Sequence, residues 1–129
     1  MYVDASAMTA LILNEADRDG LLEGMALSAE RCTSVISAFE TVLAVGREKQ
    51  QREAAFGIVE GFLKTSGISV QSIDPDLLGD LAHTHLKYGK GSGSPARLNL
   101  GDCFSYALAK RDGVPLLYKG DDFAHTDLA

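Results

Sequence analysis

Short apolar runs alternate along this chain with longer stretches of helical periodicity. Residues 1–5, with Tyr2-Val3-Asp4-Ala5, read as a brief buried strand. Ser6 is placed to cap a helix carrying Met8, Leu11 and Ile12. A second helix is predicted from Arg18 to Leu27, and Cys32-Thr33 forms a short strand starting near Arg31. Ser34 caps a third helix with Val35, Ile36, Phe39, Val42 and Leu43 in phase. A fourth places Ala55, Phe56, Val59, Phe62 and Leu63 on one face. Ile68-Ser69-Val70-Gln71-Ser72-Ile73 alternates as a strand should. Asp74 and Pro75 match a cap followed by proline at the first helical position, opening a helix with Leu77, Leu78, Leu81, Ala82 and His85. After a flexible loop, Gly89 to Pro95, Asn99 caps the helix carrying Leu100, Cys103, Phe104, Ala107 and Leu108, and Gly113 ends it. Val114 to Tyr118 is the last strand.

Strands alternating with helices predict an α/β fold, a mostly parallel sheet covered on both faces. Such sheets bind ligands beyond the carboxyl ends of their strands. Asp4 and the Asp121-Asp122 pair both follow strands and so belong to that edge.

Each acid has a structural role to be weighed against a functional one. A carboxylate beside a buried element is costly without a partner. Capping would explain Asp4, but Ser6 already fills that role, which leaves Asp4 for function. Counted at about 100° per residue, Glu40 falls roughly 40° from Ile36, inside the apolar arc of its helix. Asp102 is the third residue after the Asn99 cap, where an acid stabilises the helix by roughly 0.3–1 kcal/mol through the macrodipole. It also points toward the small residues Ser105 and Ala109, which would leave room for a metal and a substrate. Asp121 and Asp122 are tandem, so one of them at most turns inward. Asp127, His83 and His125 read as surface, and His85 as a core or boundary histidine.

Gly89 to Ser94 lacks the order of a phosphate-binding P-loop. Lys87, Lys90 and Arg97 nonetheless make a basic cluster there, read either as a solvated loop or as a contact for a phosphate backbone. Ser6, two residues after Asp4, is a candidate for orienting water at the site.

The length of 129 residues fits one domain, residues 1–129, and 46% apolar residues suffice for a core. No apolar run approaches the ~20 residues that span a bilayer. The start shows no signal-peptide pattern, so a cytoplasmic location and no membrane association are expected. Cys32 and Cys103 are not in a CxxC pair and read as reduced, buried thiols. A net charge of −6 argues against non-specific nucleic-acid binding. It does not exclude a nucleic-acid enzyme, because a bound cation reverses the sign of an acidic site.

The quoted motifs resemble those of PIN-domain ribonucleases, specifically the VapC-type toxins of bacterial toxin–antitoxin pairs. Tyr2-Val3-Asp4-Ala5-Ser6-Ala7 resembles the opening motif and Ser37-Ala38-Phe39-Glu40-Thr41 the second acidic one. Leu98-Asn99-Leu100-Gly101-Asp102-Cys103-Phe104-Ser105-Tyr106-Ala107 resembles the third. Val114 to Phe123, followed by Thr126-Asp127, is similar to the C-terminal motif. Close relatives often carry a histidine before the Pro-Ala of the glycine-rich loop, where this chain has Ser94.

The resemblance implies a three-layer α/β/α sandwich and an endoribonuclease that uses Mg²⁺ or Mn²⁺ to hydrolyse RNA, with transfer RNA as the type of substrate. It implies Asp4, Glu40 and Asp102 as the acidic metal site, with Asp121 or Asp122 as a fourth catalytic acid. Ser6, Lys90 and Arg97 are the substrate candidates. The expected partners are a cognate antitoxin, a small DNA-binding protein with a C-terminal inhibitory segment, and a second copy in a homodimer. The alternative is a phospho-aspartate domain of receiver or haloacid-dehalogenase (phosphatase) type, for which Lys119 would be the lysine after the last strand. Its first strand should be followed by adjacent acids or Asp-x-Asp, whereas here Asp4-Ala5-Ser6 follows.

Overall fold

A computed structural model describes residues 1–129. The chain runs β1 (Tyr2–Val3), α1 (Ala5–Ile12), α2 (Arg18–Ala26), β2 (Arg31–Ser34), α3 (Val35–Lys49) and α4 (Arg52–Thr65). It continues through β3 (Ile68–Gln71), α5 (Leu77–Tyr88), α6 (Leu100–Asp112) and β4 (Leu116–Leu117), then a 3₁₀ turn over Asp122–His125. The four strands form a fully parallel sheet in the order β3-β2-β1-β4.

The side-chain period of two along β1 divides the core into layers. Tyr2 packs with Leu98, Tyr106, Leu108, Leu116 and Phe123 under α5 and α6. Val3 packs with Met8, Leu11, Leu21 and Met25 under α1 and α2. Register carries the division across the sheet: Tyr2 lies opposite Leu116 and Val3 opposite Leu117, which join the corresponding cores. The result is the α/β/α sandwich expected from the alternation of elements. Winding proceeds outward from β1 to β3 and then jumps to β4 on the other side of β1. The crevice between β1 and β4 is therefore the topological switch point, where doubly wound sheets bind ligands.

Several expectations about local structure are corrected. Asp4, not Ser6, is the N-cap of α1: its carboxylate accepts from the Ser6 N–H, and Ser6 lies inside the helix. Capping by Ser6 therefore does not set Asp4 apart, although the cap uses only Oδ2 and leaves Oδ1 to a second partner, Ser105. The Asp74-Pro75 segment forms a turn, with Asp74 accepting from the Asp76 N–H, and α5 begins at Leu77. Gly89 to Pro95 is held rather than loose. Gly89 bridges to Leu98, and the Ser92 and Ser94 hydroxyls bond to backbone within the loop. His85 is exposed, not core. Cys103 is buried, Cys32 is partly exposed, and both thiols are free.

The largest correction concerns α3. Its buried stripe is Ser37, Thr41 and Val45, with Gly46. Val35, Phe39 and Leu43 are exposed at 55%, 57% and 50%. At about 100° per residue the buried stripe lies roughly opposite the apolar arc. The helix presents small hydroxyl residues to the protein and its large apolar ones to the surface.

Candidate active site

Three elements end or begin at the β1–β4 crevice, and each delivers one acid. Asp4 follows β1 directly, and its backbone N–H donates to the Leu117 carbonyl at 2.9 Å, locking it to the end of β4. Only 4% of Asp4 is exposed. Oδ2 accepts from the Ser6 N–H at 2.9 Å and the Ser6 hydroxyl at 2.6 Å, while Oδ1 accepts from the Ser105 hydroxyl at 2.5 Å. The Ser6 hydroxyl also accepts from the Lys119 N–H at 3.0 Å. Ser6 is thus committed to orienting Asp4 and tying it to the β4 exit.

Asp102 sits in the first turn of α6. The Asn99 side chain accepts from the Asp102 N–H at 2.9 Å, and Asp102 accepts from the Asn99 N–H at 3.1 Å. This reciprocal capping box satisfies two otherwise orphaned donors and fixes the carboxylate at the helix N-terminus. One lone-pair face of Asp102 remains available beyond the cap.

Glu40 reaches the site from the flank of α3, between the buried hydroxyl stripe and the exposed apolar side. It lies against Gly101 of α6: a Cβ added there would stand 2.5 Å from Glu40 Cδ and Oε1. Only glycine at this position leaves the Glu40 carboxyl where it is. Glu40 was expected inside a buried apolar arc; it is half-buried, and its cover comes from the α3–α6 packing.

Burial is the main cause pushing Glu40 up to about 7, and the charges of Asp4 and Asp102 add to it. Burial also pushes Asp102 up to about 6. The Asn99 N–H opposes that rise, Asp4 and Asp122 reinforce it, and Lys90 opposes it from a distance. The ion pairs of the chain, Lys110–Asp127, Arg111–Asp112 and Lys119 with Glu15 and Asp17, leave Asp4, Glu40 and Asp102 without a cationic partner. Nor do three acids or histidines converge into a closed ligand cage. The three carboxylates share one field and stand apart.

Of the tandem pair, Asp122 bears on Asp102, whereas Asp121 precedes the 3₁₀ turn as its cap position. Both are exposed. Lys90 is exposed and within electrostatic reach of Asp102. Arg97 is exposed and held in the left-handed region at φ 49°. Beside Glu40 opens a cleft of about 370 Å³ lined by Ser6, Thr9, Glu15, Glu40, Arg47 and Lys119.

The sequence reading missed Gly101 and misjudged Ser105. Ser105 was expected to make space near Asp102, but its hydroxyl bonds Asp4 instead. The spacing of Asp102 and Ser105, one helical turn apart, was the available signal.

A PIN-domain family model matches residues 1–128. The chain belongs to the PIN-domain family. Ribonuclease VapC42 of Mycobacterium tuberculosis is 40% identical over 128 residues, covering 99% of this chain and 96% of that protein. Ribonuclease VapC30 of the same species is 36% identical over 134 residues, covering 100% and 96%. Ribonuclease VapC of Mycolicibacterium smegmatis is 38% identical over 130 residues, covering 100% and 98%. The crystal structure of Mycobacterium tuberculosis VapC20, described as a sarcin–ricin loop cleaving toxin, superposes with a TM-score of 0.75. It covers 99% of this chain and 95% of its own at 19% identity, a likeness of fold. In this PIN domain the four quoted motifs supply the β1 exit, the α3 flank, the α6 cap and the β4 exit, all at one edge of the sheet.

Proposed function

We propose that this chain, a single PIN domain over residues 1–129, is a VapC-type endoribonuclease toxin that hydrolyses RNA phosphodiester bonds and is restrained by a cognate antitoxin. The observation that carries this is that Asp4, Glu40 and Asp102 share one electrostatic field, without a cationic partner, at the switch point of a PIN fold.

The donor set fits a hard divalent cation, because its ligands are all oxygen and its charge is uncompensated. Asp4 and Asp102 would hold Mg²⁺ or Mn²⁺, with Glu40 completing the set or orienting the attacking water. Such a cation, when bound, supplies charge stabilisation at the phosphoryl oxygens and a more acidic water. The protein's own contribution is placement. Ser6 and Ser105 fix Asp4, the capping box fixes Asp102, and Gly101 seats Glu40. Asp122 is the better fourth acid because its charge acts on Asp102. Lys90 and Arg97 flank the site as candidate contacts for the RNA backbone, with a transfer-RNA-type molecule as the expected substrate.

The phospho-aspartate alternative loses its lysine, since the Lys119 ammonium pairs with Glu15 and Asp17. The partners fit the exposed apolar surface. A groove of about 450 Å³ between α3, α4 and β3, with Phe39 and Phe56 exposed at 57% and 63%, is the surface we assign to the antitoxin. Phe39 adjoins Glu40, so a segment seated there could bring an Arg or Lys to the acids. We assign homodimer contact to the other apolar strip, which includes Leu78, Leu81, Leu100 and Phe104.

Asp4→Asn tests the proposal. Asparagine also caps helices, so the fold should survive while RNA cleavage is lost. Asp102→Asn should do the same. Full, chelator-sensitive cleavage by purified Asp4→Asn protein would sink the reading.

A further inference from the structure

Behind Asp4 lies a buried line of hydroxyls that the proposed chemistry does not use. Ser105 Oγ donates to Asp4 Oδ1 at 2.5 Å, and Ser105 Oγ lies 3.2 Å from Ser37 Oγ. Ser37 Oγ lies 2.7 Å from the Tyr2 hydroxyl, which lies 2.8 Å from Ser34 Oγ. Tyr2, Ser34, Ser37 and Ser105 are all completely buried. They come from β1, the end of β2, α3 and α6, so the line joins the elements that carry Asp4, Glu40 and Asp102.

Burying four hydroxyls confers no obvious stability, because their hydrogen bonds to water must be replaced one for one. Apolar side chains of similar size would pack this interface as well. Ser105 donates its single proton to Asp4. The Tyr2 phenol donates its own to Ser34, so the single proton of Ser37 is left to serve Tyr2 and Ser105. Ser37 thereby bridges Tyr2 and Ser105 and fixes where the Ser105 hydroxyl stands. Ser6 holds Oδ2 from the opposite side. The carboxylate is gripped at both oxygens and cannot turn about its own axis.

We infer that Ser105, backed by Ser37 and Tyr2, is a positioning residue that sets the plane of the Asp4 carboxylate for cation binding. This rests on the reading of Asp4 as a metal ligand. Partners that orient metal ligands typically contribute about 10–100-fold to metal affinity or activity. The line also gives Ser37 its partners on the inward side of α3, while Thr41 beside it bonds the Ser37 carbonyl.

The test compares Ser105→Ala, Ser105→Thr and Ser37→Ala with the wild-type chain and with Asp4→Asn. Mn²⁺ binding is measured by calorimetry without RNA, and kcat and KM for RNA are measured at saturating Mn²⁺. Ser105→Ala should weaken Mn²⁺ binding about 10-fold or more. It should also lower kcat while leaving KM for RNA unchanged. Ser105→Thr, which restores the hydroxyl, should recover both. Ser37→Ala removes only the second link and should give a smaller loss in the same direction, and it serves if Ser105→Ala fails to fold. Wild-type Mn²⁺ affinity and kcat in folded Ser105→Ala or Ser37→Ala protein, whatever the change in thermal stability, would overturn the inference. Failure of wild-type protein to bind Mn²⁺, or of Asp4→Asn to lose that binding, would instead overturn the metal-ligand reading beneath it.

Discussion

Replacing Gly101 by alanine should separate activity from stability. The perturbation is one methyl group in the first turn of α6, directly against Glu40. The new Cβ would stand 2.5 Å from Glu40 Cδ and Oε1, whereas comfortable carbon contacts begin at about 3.5 Å. One side must yield by about 1 Å. Glu40 is the side that gives, because its carboxyl is the end of a flexible side chain while Gly101 belongs to a capped helix. Alanine is favoured over glycine in a helix by about 0.8–1 kcal/mol, so the folded state should hold its stability or gain. A misplacement of about 1 Å in a catalytic site can cost ~100-fold in rate. The assay pairs thermal unfolding with cleavage of a labelled RNA in Mg²⁺ or Mn²⁺. The expected Gly101→Ala protein melts at or above the wild-type temperature and cleaves about 100-fold more slowly. Wild-type cleavage by Gly101→Ala, alongside an inactive Glu40→Gln, would show that Glu40 acts from somewhere other than its seat on Gly101.

Glu40 is raised to about 7 from 4.5, and Asp102 to about 6 from 3.8, so between those values the folded chain binds more protons than the unfolded one. In chelator, their stabilising contribution should therefore be complete at low pH and fall as pH rises to about 7. Urea unfolding should show Glu40→Gln gaining on the wild type between pH 5 and pH 8 (roughly the window of the Glu40 shift), and a constant difference would contradict the assigned burial. Added Mn²⁺ should raise the melting temperature at about pH 8 and much less at about pH 5, where the acids are protonated; an equal shift at both would place the ion elsewhere. Phe56→Asp should abolish antitoxin binding and leave RNA cleavage intact, and tight binding by that variant in a pull-down with the purified antitoxin would remove the α3–α4 groove as the docking surface.

How much of this was legible in the sequence differs from residue to residue. The parallel α/β architecture followed from alternating periodicities, and the caps at Ser34, Asn99 and Gly113 are where turn chemistry put them. Candidate acids were visible because their neighbours were apolar. Residues that carry two roles at once were not legible from local pattern. Asp4 caps α1 with one oxygen and meets Ser105 with the other. Asp102 completes a capping box while facing the acidic site.

The sequence by itself determined the order of elements, the layered fold and the candidate acids, because those depend on local periodicity and on the cost of burying charge. Tertiary structure alone decided which side of α3 faces inward, that Glu40 rests on Gly101, and that Asp122 rather than Asp121 bears on Asp102. Those outcomes depend on what packs against each helix. A buried serine such as Ser37 is a poor burial signal until the hydroxyls that answer it, from Tyr2 and Ser105, are brought beside it by the fold.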